Sequence, residues 1–195
     1  MRLSERGAAF IARHEGFVDH AYRDPVGVLT IGFGFTMRSA VFAGRWRARH
    51  GRDLSPGDRI SRAEAETLLR ELVDREYGAA VTRELGPMPQ HRHDACCSAV
   101  FNLGPRALVW RWARALKDGD VARAADILAA NYNTAGGRRL KGLVRRREEE
   151  ARLLRSGDYG DGRPPALDAR GPDEAAEPEG LLKMLVAFLK RLLDR

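Results

Sequence analysis

Cysteine is nearly absent from this chain of 195 residues: there are two, Cys96 and Cys97, side by side. A disulfide framework needs separated pairs, and neighbours bridge only with strained geometry. Two small, half-buried thiols in a reducing compartment are therefore expected. The opening MRLSERGAAFIARHEGF has no long apolar run, so neither a secretory signal nor a membrane anchor is legible there. No internal repeat is apparent. The 5 histidines come close together only at His91 and His93, two apart at an expected helix start, where the rings point in different directions. A satisfied or solvated pair fits them better than a metal site, and no metal is expected.

What is present is ordinary apolar content, 44%, and an excess of positive charge, +7 formally. The length suits one domain with an appendage. An anionic partner is expected, and nucleic acid, an acidic polysaccharide or a membrane surface would each suit. The charge is uneven: residues 157–178 sum to −4 and residues 179–195 to +2, which leaves +9 on residues 1–156.

Ser4 followed by Phe10, Ile11 and His14 reads as a short capped helix. From Ala21 to Phe35, Gly27, Gly32 and Gly34 recur among Val26, Val28, Leu29, Ile31 and Phe33, a hairpin pattern with an Asp-Pro turn. Ser61 with Glu64 three positions on is a capping box opening a long helix through Leu68, Leu69, Leu72 and Val73. Further helices are expected over 91–102, 105–117, 120–131 and 138–155. The fold class is α+β, predominantly α: a small β-hairpin lobe set among helices.

Residues 157–178, rich in proline, glycine and acidic side chains, read as a flexible linker. Residues 179–195 follow as a cationic amphipathic helix. Leu181, Leu182, Met184, Leu185, Val186, Phe188, Leu189, Leu192 and Leu193 share one broad face, with Lys183, Lys190, Arg191 and Asp194 opposite. Too short and too charged to span a bilayer, this helix suits either an anionic membrane surface or docking on the body or on another copy.

Glu15 stands at the end of the first helix, directly before Gly16. Asp24 lies nine residues on, and Thr30 six beyond that, in a hairpin able to fold back toward the helix end. A carboxyl on a helix end facing a carboxylate on a turn is an arrangement that glycoside hydrolysis requires. The partial negative charge of a helix C-terminus disfavours an ionised Glu15, the useful direction for an acid. Spacing alone leaves the alternative open, a surface Glu and a turn-capping Asp.

The pattern Glu15, eight residues, Asp24, five residues, Thr30, then Ile31-Gly32-Phe33-Gly34, resembles the phage-type lysozymes, glycoside hydrolase family 24. Ala99-Val100-Phe101-Asn102-Leu103-Gly104 resembles that family's central helix, whose aromatic and amide line the cleft. Asn133-Thr134-Ala135-Gly136-Gly137, followed by Leu140-Lys141-Gly142-Leu143-Val144-Arg145-Arg146-Arg147-Glu148, resembles its C-terminal signature. The resemblance spans about residues 5–156, taken as the catalytic domain 1–156, with a cleft between the hairpin lobe and the helical lobe.

It implies a muramidase acting on bacterial peptidoglycan in cell lysis, without metal or organic cofactor. Glu15 would protonate the glycosidic oxygen, Asp24 position the attacking water and stabilise positive charge on the sugar, and Thr30 orient that water. Phe101, Asn102 and Gly137 would contact substrate. A monomer that does not bind nucleic acid is implied, held in the cytoplasm before release and acting on the wall in the periplasm. A lytic transglycosylase on the same bond, or a non-catalytic binder working through its tail, are the alternatives; Asp24 and Thr30 argue against the former.

Three features depart from the family pattern. Phe35 stands where many members carry histidine, and Tyr132 where they often carry tryptophan. The stretch between Met37 and Ile60 is long and basic, and an inserted helix near the cleft is expected there. Of Trp110 and Trp112, one is expected in the core and the other partly exposed. Arg145-Arg146-Arg147 before Glu148-Glu149-Glu150 reads as a solvated, self-paired helix face.

Overall fold

The computed structural model describes residues 1–160 except Pro25 and Gly136. Helix α1 (Glu5–Glu15) starts where the Ser4 hydroxyl accepts the backbone N–H of Gly7 at 3.0 Å, and it buries Phe10 and Ile11. Gly16, at φ 68°, ends it. Three antiparallel strands follow in spatial order β1 (Val18–Arg23), β2 (Leu29–Gly32), β3 (Phe35–Thr36). Between β2 and β3 a glycine is required at 32: φ is 66°, and a Cβ would lie 2.8 Å from the Phe35 ring. The outer edge of β1 is covered, because Ala21 donates to the Asp58 carbonyl at 2.8 Å and Ile60 to that of Asp19 at 2.9 Å.

The helix expected between Met37 and Ile60 forms as α2 (Ala40–His50). Its arginines turn outward, pairing Arg45 with Glu71, Arg47 with Asp53 and Arg49 with Glu64. Its inner face continues an aromatic ladder that runs Phe17, Phe33, Phe35, Phe42, Trp46, His50, each ring within 6.2 Å of the next. Phe35 is a rung of that ladder, 2% exposed, so apolar ring packing fastens the sheet to α2.

Helix α3 (Arg62–Val73) is capped by Ser61, whose hydroxyl accepts the Glu64 N–H at 3.2 Å. It runs without a break through a π-helical turn, Asp74–Gly78, into α4 (Ala79–Leu85). Helix α5 (Gln90–Leu103) is central, with every residue from His93 to Leu103 buried. Cys96 and Cys97 are free thiols on it, fully rather than half buried. The buried His93 ring meets Thr82 Oγ1 at 3.3 Å and Cys97, while His91 is half-exposed beside Gly157.

The expected helix 105–117 is divided: a 3-10 turn, Pro105–Val109, precedes α6 (Arg111–Lys117), with extended Trp110 between them. Trp112 is in the core, and half-exposed Trp110 lies against Tyr132 at 4.9 Å. After α7 (Val121–Ala130), the start of the expected helix 138–155 is corrected. Arg138 and Arg139 form β5 opposite β4 (Thr134–Ala135), so α8 (Lys141–Ser156) begins three residues later. Gly137, at φ 76°, provides the tight return that helical backbone cannot.

Beyond α8 the chain turns at Gly157 and runs back along α1. The Tyr159 hydroxyl donates to Asp94 Oδ2 at 2.6 Å, its ring lies under Arg6 at 4.1 Å, and its carbonyl accepts from Arg13 at 3.2 Å. The buried Asp94 carboxylate also accepts from Ser4 N (3.1 Å), Ser4 Oγ (2.5 Å) and Gln90 Nε2 (2.9 Å). Residues 157–160 of the stretch expected as a linker thus pack on the body. Residues 161–178, and the amphipathic helix expected over 179–195, lie outside the described residues. The α+β class dominated by helices is as expected.

Candidate active site

Glu15 is the last residue of α1, so its position follows from a capped, amphipathic helix stopped by a glycine. Its side chain is 10% exposed, and Oε1 accepts from Arg146 Nη1 at 2.8 Å. The negative helix end considered from sequence is therefore met by the Arg146 guanidinium.

Asp24 closes the β1–β2 hairpin. Its Oδ1 accepts from Val26 N at 3.0 Å and Val28 N at 2.7 Å, while its own N–H donates to the Val28 carbonyl at 2.9 Å. The turn-capping role open from sequence is thus real, but both side-chain bonds fall on Oδ1, and Oδ2 takes no part in the turn. Thr30 stands on β2 opposite Tyr22, so their side chains share a face of the sheet. The Thr30 hydroxyl donates to the Val28 carbonyl at 3.1 Å and so keeps its lone pairs for an incoming donor. Asp24 and Thr30 are 7% and 4% exposed.

Tyr22, absent from the sequence expectations, joins the two halves. Burial pushes its phenol up, and the negative charges of Asp24 and Glu15 push it further. Both carboxylates therefore bear on one ring, which brings the helix end and the hairpin into a single neighbourhood. No pattern in the sequence singled it out; its place opposite Thr30 follows from the strand register of the folded hairpin.

Behind Glu15 lies a buried polar cluster. Arg146 Nε donates to Glu150 Oε1 at 3.0 Å and its Nη2 to the Ser98 carbonyl at 3.4 Å. Ser98 Oγ and Arg147 Nη2 donate to the same Glu150 oxygen at 2.7 and 2.9 Å, and Arg147 Nη2 also donates to Asn102 Oδ1 at 3.0 Å. The expected i,i+3 and i,i+4 pairs form. The solvated face is a correction, because Arg146, Arg147 and Glu150 are at most 3% exposed. Leu143, Arg146, Arg147, Glu150 and Leu154 share one helical stripe, a pattern that points inward despite its charge. Burial lowers the Arg147 guanidinium to about 10 against the pull of Glu150. Arg146 is disfavoured by burial but held above its usual value by Glu15 and Glu150.

Among the residues expected to touch substrate, Phe101 is a core residue, 2% exposed and edge-on to Tyr77 at 5.4 Å. Asn102, also 2% exposed, is bound to Arg147 through Oδ1. Gly137 lies in the β4–β5 turn. Among the described residues no group of three His, Cys, Asp or Glu side chains is set to hold a metal ion.

Residues 12–150 match the family model described as phage lysozyme. An endolysin of Acyrthosiphon pisum secondary endosymbiont phage 1 is 32% identical over 160 residues, covering 80% of this chain and 99% of the relative. Among solved structures, an endolysin from Escherichia coli O157:H7 phage FAHEc1 superimposes with a TM-score of 0.67 at 28% identity, over 82% of this chain and 97% of that one. The muramidase domain of SpmX from Asticaccaulis excentricus does so with a TM-score of 0.65 at 27% identity, over 80% of this chain and 98% of that one.

Proposed function

The chain belongs to the phage lysozyme family, whose members are peptidoglycan-lytic enzymes, and on that premise we propose that it is a muramidase with Glu15 as its acid. The bond cut is the β-1,4 link between N-acetylmuramic acid and N-acetylglucosamine. The observation that carries this reading is a Glu15 carboxyl fixed at the helix end by Arg146, with an adjoining hairpin in which the turn uses only Oδ1 of Asp24 and the Thr30 hydroxyl keeps its lone pairs. The muramidase domain among the structural neighbours supports the choice of bond.

Glu15, on a rigid helix end, donates its proton to the leaving sugar oxygen. Asp24 Oδ2 and the Thr30 hydroxyl each accept a hydrogen bond from a water, which aims its lone pair at the anomeric carbon, and the water's proton passes to Asp24 as the new C–O bond forms. Asp24 also offsets the positive charge growing on the sugar ring. The route inverts the anomeric centre, with carboxyl groups about 6.5–9.5 Å apart in the working complex. Asn102 serves from behind this site through Arg147, Phe101 packs beside it on α5, and Gly137 shapes the β4–β5 hairpin. Residues 179–195 add contact with an anionic lipid surface: the full chain binds anionic vesicles, and deleting them abolishes that binding while activity on purified wall persists. Vesicle binding that survives the deletion overturns the lipid role.

The test of the acid is Glu15→Gln on purified peptidoglycan, with products read by mass. An amide donates no proton of suitable acidity, so a loss of about a hundredfold or more is expected. Retained activity overturns the assignment, and 1,6-anhydro products would replace hydrolysis by transglycosylation.

A further inference from the structure

A general acid must hold a proton when the bond breaks, yet a guanidinium 2.8 Å from a carboxyl favours the ionised form. The answer lies one layer behind. All three nitrogens of Arg146 are engaged, Nη1 by Glu15, Nε by Glu150 and Nη2 by the Ser98 carbonyl, so the guanidinium has one orientation. Glu150 is itself held on α5 by Ser98 Oγ and on α8 by Arg147.

We infer that Glu150 is a positioning residue for the acid: it clamps Arg146 against Glu15 and takes a share of that guanidinium's charge, so that Glu15 is oriented without being locked as an ion. The inference rests on the muramidase reading of Glu15. The formal charges make the point. Two guanidinium and two carboxylate groups balance when Glu15 is ionised, and the cluster carries one excess positive charge when Glu15 is protonated. Without Glu150 that excess doubles, and the protonated acid is penalised in an interior with little water.

Every neighbouring element contributes to this field. On the hairpin side, Tyr22 feels the charges of both Glu15 and Asp24. From α1, His14 feels both Arg146 and Glu150, and burial keeps its ring below the usual histidine range. From α5, Cys96 faces Glu150, and burial with that negative charge pushes its thiol up, so it adds no charge of its own. Arg147, lowered to about 10, still enters the balance as a cation at neutral pH.

The test is a pair of substitutions with opposite expected signs. Glu150→Gln keeps the shape but removes the counter-charge, so the high-pH limb of kcat/KM on purified wall moves down by about one pH unit. Arg147→Met removes the cation that competes for Glu150, so the same limb moves up. A purely structural cluster predicts lost activity or stability from both, with the limb in place. Limbs that stay fixed, or move in the same direction, overturn the inference. If Glu150→Gln does not fold, Arg147→Met alone decides: a limb that fails to rise refutes the idea. A carbon-13 NMR titration of the Glu15 carboxyl in the same proteins reads the shifts without turnover. If that titration moves as expected while Glu15→Gln stays active, the muramidase reading fails and the charge sharing stands.

Discussion

Glycine in the middle of a helix is ordinarily a weakness, and replacing it by alanine adds about 1 kcal/mol. Gly7, in the first turn of α1, is expected to behave in the opposite way. A Cβ built there lies 2.5 Å from Asp94 Cγ and 2.8 Å from Oδ1, whereas ordinary carbon contacts need about 3.5–4.0 Å. Asp94 has no room to yield, because it is fully buried and bound by Ser4, Gln90 and Tyr159. A shift of about 1 Å stretches at least two of those bonds, and bonds to a charged group contribute about 1.5–3 kcal/mol each. Set against the propensity gain, Gly7→Ala is expected to destabilise by about 2–4 kcal/mol. For a domain of this size that lowers Tm by about 5–12 °C, measured by circular dichroism at neutral pH. The same substitution in an Asp94→Ala background should cost less, since the approaches to Cγ and Oδ1 are removed and only the 2.9 Å approach to the Cβ of residue 94 remains. A Gly7→Ala protein as stable as wild type refutes the reasoning, as does an equal loss in both backgrounds.

Acid should weaken the fold at α1–α8. Burial alone would raise the Glu149 carboxyl, but His14 and Arg13 outweigh it and lower it to about 2. A depressed carboxylate stabilises the folded state above its unfolded value, and that stability is lost as pH falls toward about 2. Glu149→Gln should flatten the decline of urea-unfolding stability below about pH 4.5; an unchanged slope counts against the pairing. The thiols of Cys96 and Cys97 are pushed up by burial and should react with a thiol reagent only on unfolding, with both labelled together. Labelling of the native protein at a rate independent of denaturant would contradict that.

Local chemistry was legible in the sequence. Ser4 and Ser61 cap the helices they precede, and the glycine-punctuated stretch 21–35 is the hairpin. The elements that differ are those in which distant contacts decide. Nothing near residue 74 ends α3, so it continues through a π-helical turn to Leu85. Arg138 and Arg139 are good helix formers, yet the return at Gly137 pairs them with β4. The largest gap lies in Arg146, Arg147 and Glu150, within a run of six charges over residues 145–150 that looks solvated. Their burial depends on Glu15 and Ser98, 131 and 52 residues away in the chain from their partners. Glu15, Asp24 and Thr30 were readable as candidates, whereas Tyr22 and the cluster behind the acid become visible only once the chain is folded.

The seating of Tyr159 decides where the remainder of the chain sets out. Its carbonyl rests on Arg13, in the same turn of α1 that ends at Glu15. Arg13 and Glu15 both reach α8, through Glu149 at 2.8 Å and Arg146 at 2.8 Å, so this departure point lies on the same α1–α8 seam as the acid. A polypeptide attached after residue 160 therefore begins beside the ion pairs that join α1 to α8. A fusion partner, a surface tether or a fluorescent label placed there pulls first on Tyr159 and Arg13, and through Glu149 on the helix that holds Arg146 against the acid.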